Sequence, residues 1–245
     1  MKTKENRIKR AIILAAGQGT RLAPLTLDIP KPLIKVNGVS MIDTVVEGLN
    51  ENGIFEIYVV VGYLKEQFFT WAKKHHGLTI ICNPYYDTCN NISSLYVARD
   101  HLEDCMILDG DQIIYNPDIL SADFSLSGYN AVWCEGETKE WLMNVENGRV
   151  KSCSRTGGSG GWQLYSISRW SAKDGKKLKK HIESEFESGN RQIYWDDVAM
   201  FCHFNEYSLG IREMDRSDVV EIDSLEELAA IDESYKFLTI KQKES

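Results

Sequence analysis

Apolar and polar positions follow two rhythms along the first half of the chain. Ala11-Ile12-Ile13-Leu14-Ala15-Ala16 is an unbroken apolar run that stops at Gly17, the pattern of a strand covered on both faces. Ile42, Val45, Val46 and Leu49 then recur at helical spacing within 41–52, and Gly53 marks a helix end. The alternation continues with a strand at Ile57–Val61, a helix over Leu64–His75 ending near Gly77, a strand at Leu78–Cys82, a helix over Ile92–Leu102, and a strand at Met106–Leu108 that runs into Asp109-Gly110-Asp111. This β-α-β-α-β-α-β succession predicts an α/β fold with a mostly parallel, Rossmann-like sheet and helices on both faces.

After about residue 125 the rhythm changes. Asn130–Cys134, Trp141–Val145 and Val150–Cys153 have strand patterns, with Asn147-Gly148 as a hairpin signal between the last two. The glycine-rich stretch 157–161 predicts a flexible loop, too short for a domain linker. A Lys-rich amphipathic helix over 172–187, a helix near 196–204 and a strand at Val219–Ile222 follow, and Ser224-Leu225-Glu226-Glu227 is a capping box opening the last helix. The expectation is one domain over 1–245 with a β-rich elaboration on one side.

Composition narrows the class. The chain has 245 residues, 43% hydrophobic and 26% charged, ordinary for a globule large enough to need no staples. No apolar run approaches the roughly 20 residues of a membrane span, and the start runs straight into a strand, so a cytoplasmic protein with no membrane insertion is expected. The six cysteines form no CxxC pair and have no His at ligand spacing, which favours reduced structural thiols. A net charge of −8 argues against general nucleic-acid binding. The charge is uneven, however: residues 1–35 carry a local +6 and the remainder −14, which points to a local anion site.

That basic segment contains Leu14-Ala15-Ala16-Gly17-Gln18-Gly19-Thr20-Arg21-Leu22, with Pro30-Lys31-Pro32-Leu33 behind it. A strand ending in a Gly-rich loop turns backbone N–H groups toward a phosphate. The dinucleotide fingerprint would need glycine at Leu22, and a Walker A loop would need Gly-Lys-Ser/Thr, so both are excluded. The stretch, LAAGxGTRLxPLT followed by PKPL, resembles the signature of the superfamily that joins a nucleoside triphosphate to a phosphorylated small molecule and releases pyrophosphate. The resemblance implies a nucleotidyltransferase sheet whose nucleotide half covers about 1–125 and whose substrate half covers about 126–223. It implies that Leu14, Ala15, Ala16, Gly17, Gly19 and Thr20 hold the nucleotide, that Arg21 neutralises the leaving pyrophosphate, and that Lys31 sits at the α-phosphate. Asn83, the Asn90 region and Asp109 are placed with the nucleotide as well.

Asp109-Gly110-Asp111 ends an apolar strand at the sheet edge where open α/β folds bind ligands, and hard oxygen ligands suit Mg²⁺ on phosphates. By resemblance Asp111 is the metal-binding aspartate, and Asp223 is the candidate for its partner from a late strand.

Glu140-Trp141 and Tyr194-Trp195-Asp196-Asp197 set aromatic rings beside carboxylates, a combination that can hold an organic ammonium. Together with Val61–Phe68, Asn90-Asn91, Ser94-Leu95-Tyr96 and Glu221–Ser224, these stretches resemble the bacterial CTP:phosphocholine cytidylyltransferases. That resemblance implies CTP and phosphocholine as substrates, with Trp141, Tyr194 and Trp195 around the choline and Asp196 as countercharge or metal neighbour. Ile92 and Ser93 stand where the family often has aromatic residues, and Asp197 where it commonly has Asn. Fewer rings and one more carboxylate suit a primary ammonium, as in 2-aminoethylphosphonate. A sugar-1-phosphate nucleotidyltransferase and a regulatory homologue that binds nucleotide without turnover are further alternatives. The nucleophile is already an anion near pH 7, so no general base is required, and the five histidines lie outside the motifs. Oligomeric state and the role of residues 1–9 are not legible.

Overall fold

The computed structural model describes residues 6–238. Strand β1 (Arg10–Ala15) is central and pairs in parallel with β2 (Glu56–Val61) on one side and β4 (Cys105–Asp109) on the other, while β3 (Leu78–Cys82) extends the sheet beyond β2. Its unbroken apolar character has a simple cause. Ile13 and Ala15 point into the core under helix α1 (Met41–Glu51), and Ile12 and Leu14 point into the core under α3 (Ile92–Val97) and α4 (Ala172–Glu187). A strand buried on both faces has no polar side to show. Helix α2 (Lys65–Ala72) and α5 (Leu225–Ile231) complete the α-helices of more than one turn among the described residues, and the Ser224–Glu227 capping box forms as predicted. The Ile92–Leu102 helix is shorter than its pattern, ending at Val97 and resuming as a 3₁₀ turn over Arg99–His101.

The second half is built on strands β6 (Gly128–Cys134), β7 (Leu142–Glu146), β8 (Arg149–Ser154), β9 (Gly161–Trp170) and β10 (Gly210–Glu213). Asn147 and Gly148 both have positive φ, 51° and 70°, the type I′ geometry that their hairpin signal predicts. Strand β9 is a feature the sequence pattern missed. Its ten residues pair antiparallel with β4 at one end, with β7 at the other and with β6 along nearly the whole length, so it splices the parallel half to the β-rich half in one nine-stranded sheet. Gln163, Ser168 and Arg169 are buried among its apolar residues, which erases the two-residue alternation by which a half-buried strand is recognised. The loop at 157–161 is not free either. Thr138 N–H donates to Gly158 O (2.8 Å) and Gly158 N–H donates to Thr138 O (3.0 Å).

A short pairing outside the main sheet decides where the chemistry lies. Strand β5 (Gln112–Ile114) runs antiparallel to β11 (Val219–Glu221), with Gln112 opposite Glu221. The residues just before β5 and just after β11, Asp111 and Asp223, are thereby brought to the same end of the ladder.

Glycine is required in α4 for packing. A Cβ on Gly175 would stand 1.9 Å from the Leu102 carbonyl oxygen, so the helix reaches the 99–104 turn only without a side chain there. Gly175→Ala is expected to cost about 1–3 kcal/mol of stability as overpacking. Gly136→Ala, where a Cβ meets nothing within 4 Å, should change the unfolding free energy measured in urea by less than about 0.5 kcal/mol.

Candidate active site

The loop after β1 crosses the carboxyl edge of the sheet. Gly110 N–H donates to Leu14 O (2.9 Å), locking the loop start to the end of β4. Gly19 adopts φ +62°, and a Cβ there would stand 2.9 Å from Lys31 Cβ, so the loop folds directly over the lysine. Thr26 Oγ1 donates to Gly19 O (3.0 Å) and holds that crossing.

Lys31 is 7% exposed, and its ammonium sits between two carboxylates, 2.6 Å from Asp111 Oδ2 and 2.9 Å from Asp223 Oδ1. Burial works against the charge, but the two aspartates more than offset it and the lysine pKa is raised. Arg21, largely exposed, donates to the same Asp223 oxygen at 2.8 Å. Residues 31, 111 and 223 therefore meet as the sequence implied.

Three adjoining hollows share residues around this centre. One of about 290 Å³ is lined by Leu14, Ala15, Gly17, Gly19, Thr20, Arg21, Lys31 and Asp111. A smaller one of about 160 Å³, lined by Ala16, Gly17, Asn83, Asn90, Ser93 and Ser94, continues it past Gly17 and has the size of a base recess. Asn83 builds this recess, donating to Ser93 Oγ (3.0 Å) and Ser94 Oγ (3.1 Å) and accepting from Tyr85 N–H (2.8 Å). The side-chain amide of Asn90 donates to Gln192 O (3.2 Å), tying the recess to the segment before Tyr194.

The third hollow, about 280 Å³, shares Arg21 and Asp111 with the first and is lined further by Asn91, Asp109, Glu140, Trp141, Ser166, Tyr194, Asp196, Glu221 and Asp223. Desolvation at the cleft floor, with Asp111 close by, holds the Asp109 carboxyl well above its usual range. Glu221 is pushed up by the same crowding, although it accepts from Gln112 Nε2 at 2.7 Å. Asp196, 7% exposed, is pushed up to about 8 by burial. The buried Tyr129 hydroxyl interacts with this carboxyl, and neither that hydroxyl nor Asp196 Oδ1 has another polar partner among the described residues. The cleft thus concentrates carboxylates beyond what Lys31 and Arg21 neutralise. Asp111 and Asp223, a hard-oxygen pair converging on one cation position, fit a divalent ion such as Mg²⁺ on the donor chemistry alone.

Two residues placed with the substrate by sequence fall elsewhere. Trp195 is 1% exposed and packs its ring against Tyr129 and Trp170, so it is core. Asp197 turns away from the cleft, accepting from Tyr194 N–H (2.8 Å) to cap the turn at Trp195–Asp197 and from Arg155 Nε at 2.7 Å. The helix expected near 196–204 is that single turn continued as a π-helix over Val198–Cys202. Trp141 and Tyr194 do line the cleft, ring centroids 6.0 Å apart and planes at 88°. Sequence reasoning missed Asn91, whose Oδ1 accepts from Trp195 N–H at 2.8 Å, as well as Ser166 and Glu221 as lining residues. Only the Asn pair beside a helix start signalled the first of these.

A Gly-rich loop at a parallel sheet's edge, with a buried lysine between two carboxylates and adjoining hollows on either side, is an arrangement suited to nucleotidyl transfer. The chain belongs to the family of the MobA-like NTP transferase domain, whose model matches residues 11–156. The 2-aminoethylphosphonate cytidylyltransferase of Lancefieldella rimae is 39% identical over 232 residues, 93% of this chain and 94% of that protein. The choline-phosphate cytidylyltransferase of Streptococcus pneumoniae is 32% identical over 228 residues, 93% and 98% of the two chains. A solved structure of the Streptococcus pneumoniae CTP:phosphocholine cytidylyltransferase superposes with a TM-score of 0.86 at 33% identity, covering 93% of this chain and 98% of that one. An inositol-1-phosphate CTP transferase from T. maritima shares the fold, with a TM-score of 0.75 at 17% identity over 96% and 97% of the chains. The protein is a cytidylyltransferase. No helix among the described residues is long and apolar enough to cross a membrane.

The raised Asp196 carboxyl has a consequence for stability. Above its ordinary value of 3.8 the unfolded chain has released this proton, while the folded protein keeps it until about pH 8. The folded state binds more protons in that window, so this group's contribution to stability falls as pH climbs from about 4 to about 8. Asp196→Asn should give a flatter stability profile over that range in urea titrations, and a profile parallel to wild type would contradict the burial of this charge.

Proposed function

We propose that the protein couples CTP to 2-aminoethylphosphonate, releasing pyrophosphate. The observation that carries this reading is the buried Asp196 side chain among the residues that line the substrate hollow, beside Glu140, Asn91 and Ser166. A primary ammonium brings three N–H donors and needs acceptors. Asp196, Glu140, Asn91 and Ser166 line the hollow and supply them. A trimethylammonium brings no donor and is held by aromatic faces. Here Tyr194 is 50% exposed, and Trp141 already has the edge-on ring of Phe201 at 5.2 Å and the Arg155 guanidinium 6.0 Å from its centroid. Phosphocholine is the second reading, supported by the right-angled corner that Trp141 and Tyr194 form. The similarity to proteins named for each substrate supports both in the same order.

In the proposed reaction a phosphonate oxygen attacks the α-phosphorus of CTP, a new P–O bond forms, and the bond to the β-phosphate oxygen breaks with its electrons leaving on pyrophosphate. Residues 6–125 carry the nucleotide and 126–223 most of the aminophosphonate contacts. Catalysis is positioning and charge dispersal. Lys31 holds the α-phosphoryl oxygens, and Arg21 swings from Asp223 to the leaving end. The loop backbone from Leu14 to Thr20 lies along the phosphates, and Asn83 and Asn90 shape the base recess. Asp109 sits at the cleft floor where the two substrates meet. Mg²⁺ held by Asp111 and Asp223 would neutralise phosphate charge when bound.

Pyrophosphate release with Mg²⁺ and CTP, run in parallel on the two acceptors, tests the substrate. A higher kcat/KM for 2-aminoethylphosphonate is expected, and preference for phosphocholine would reverse the assignment. In Asp196→Asn the KM for the aminophosphonate should rise about 10–100-fold, the worth of one charged hydrogen bond, with a smaller change for phosphocholine. Lys31→Ala should lower turnover by about 10²-fold or more, as removal of an oxyanion donor does; near-normal turnover in a folded variant would remove Lys31 from its role.

A further inference from the structure

Apart from the residues that line the cleft, two histidines 22 positions apart in sequence stack face to face. The rings of His181, on α4, and His203, at the end of the π-helix, lie 3.7 Å apart and 8° from parallel. Each ring commits one nitrogen to a fixed partner. His181 Nδ1 lies 2.8 Å from the Tyr207 hydroxyl, and His203 Nε2 lies 2.9 Å from Glu185 Oε1. The second oxygen of Glu185 accepts from Asn190 Nδ2 at 2.7 Å, which fixes that carboxylate. The remaining nitrogens, His181 Nε2 and His203 Nδ1, turn toward one carboxylate, each 3.3 Å from an oxygen of Glu206. These three residues offer ligand atoms that all lie within 4.8 Å of one another.

Two imidazoles and a carboxylate, with ring tautomers set by a carboxylate and a hydroxyl behind them, are the inner and outer shells of a transition-metal site. Charge points the same way. Glu185 and Glu206 contribute two negative charges against two rings that are neutral as ligands, so one dication balances the cluster. The neighbouring ammonium of Lys177 does not fill that position: it lies over the Tyr207 ring, 4.6 Å from its centroid, donates to the Glu206 backbone carbonyl and pairs with Asp174. Both side-chain exposures are low, 13% for His181 and 21% for His203, while Glu206 at 55% leaves an entry from solvent.

We propose that His181, His203 and Glu206 bind one divalent transition-metal ion of the zinc class, with Glu185 and Tyr207 orienting the rings. On binding, the stacked rings fan open so that both free nitrogens aim at the ion. The ion ties α4 to the end of the segment that carries Asp196 into the cleft. The site uses no residue of the nucleotide cleft and does not depend on which ammonium substrate the enzyme takes.

The test is titration of the chelator-stripped full chain with Co²⁺, followed by its visible absorption, and then displacement by Zn²⁺. Beyond any equivalent held by Asp111 and Asp223, one saturable equivalent is expected, and it is retained in Asp111→Asn, which removes a ligand of that other candidate site. Glu206→Gln and His181→Ala should each weaken that equivalent by about 100-fold or more, and Glu185→Gln by about 10–100-fold. Far-UV circular dichroism confirms that each variant is folded, and the exposed Glu206 gives the mildest substitution. Absence of any equivalent beyond the one lost in Asp111→Asn would overturn the proposal. So would an equivalent indifferent to Glu206→Gln and His181→Ala, or one lost only in Cys202→Ser.

Discussion

Everything in the cleft is arranged around one ammonium held between two carboxylates. Lys31 comes from a 3₁₀ turn after the first loop, Asp111 from the turn after β4, and Asp223 from the end of β11. A buried lysine is costly unless it is paired, so these three distant segments stabilise one another only when assembled. The same charges that complete the empty fold are those a triphosphate and a divalent cation would call on. Replacing Lys31's partners by phosphate oxygens, and the carboxylates' partner by a metal, exchanges one set of ion pairs for another without exposing an unpaired charge.

The β5–β11 ladder is the structural device behind this. Its two strands are only three residues each, but their register places Gln112 beside Glu221 and so brings Asp111 and Asp223 to one end. Strand β9 performs the corresponding task on the other side. By pairing with β4 at one end, with β7 at the other and with β6 along its length, it sets the wall that carries Ser166 against the floor that carries Asp109. The cleft therefore lies across the junction of a parallel and an antiparallel region of one sheet.

The head-group side of the cleft is unusual in its excess of acid. Asp109, Glu221 and Asp196 all have carboxyl groups pushed upward, and burial is the first cause in each. Such a pocket is destabilising while empty and favours a positively charged guest, which is how binding energy can be stored in a fold. Whether the guest is capped by hydrogen-bond acceptors or by rings turns on few side chains, chiefly Asp196, Glu140, Trp141 and Tyr194.

By itself the sequence determined the parallel half of the fold and singled out the Gly-rich loop, Arg21, Lys31, Asp111 and Asp223, which the fold brings together. These rest on local properties: continuous apolar runs for strands buried on both faces, glycines where a loop must pass close to another chain segment, and a dense motif within some twenty positions. Trp141, Tyr194 and Asp196 were legible as an aromatic–acid pattern too. Only the tertiary structure decided that Trp195 and Asp197, their immediate neighbours, face the core and Arg155 instead, because a single helical turn points consecutive side chains in different directions. The strand β9 was hidden by its buried polar residues, Gln163, Ser168 and Arg169, whose partners lie on other strands and loops. The His181–His203 stack left no trace along the chain at all. It exists because α4 and the π-helix pack side by side, and packing is a long-range property that no local spacing records.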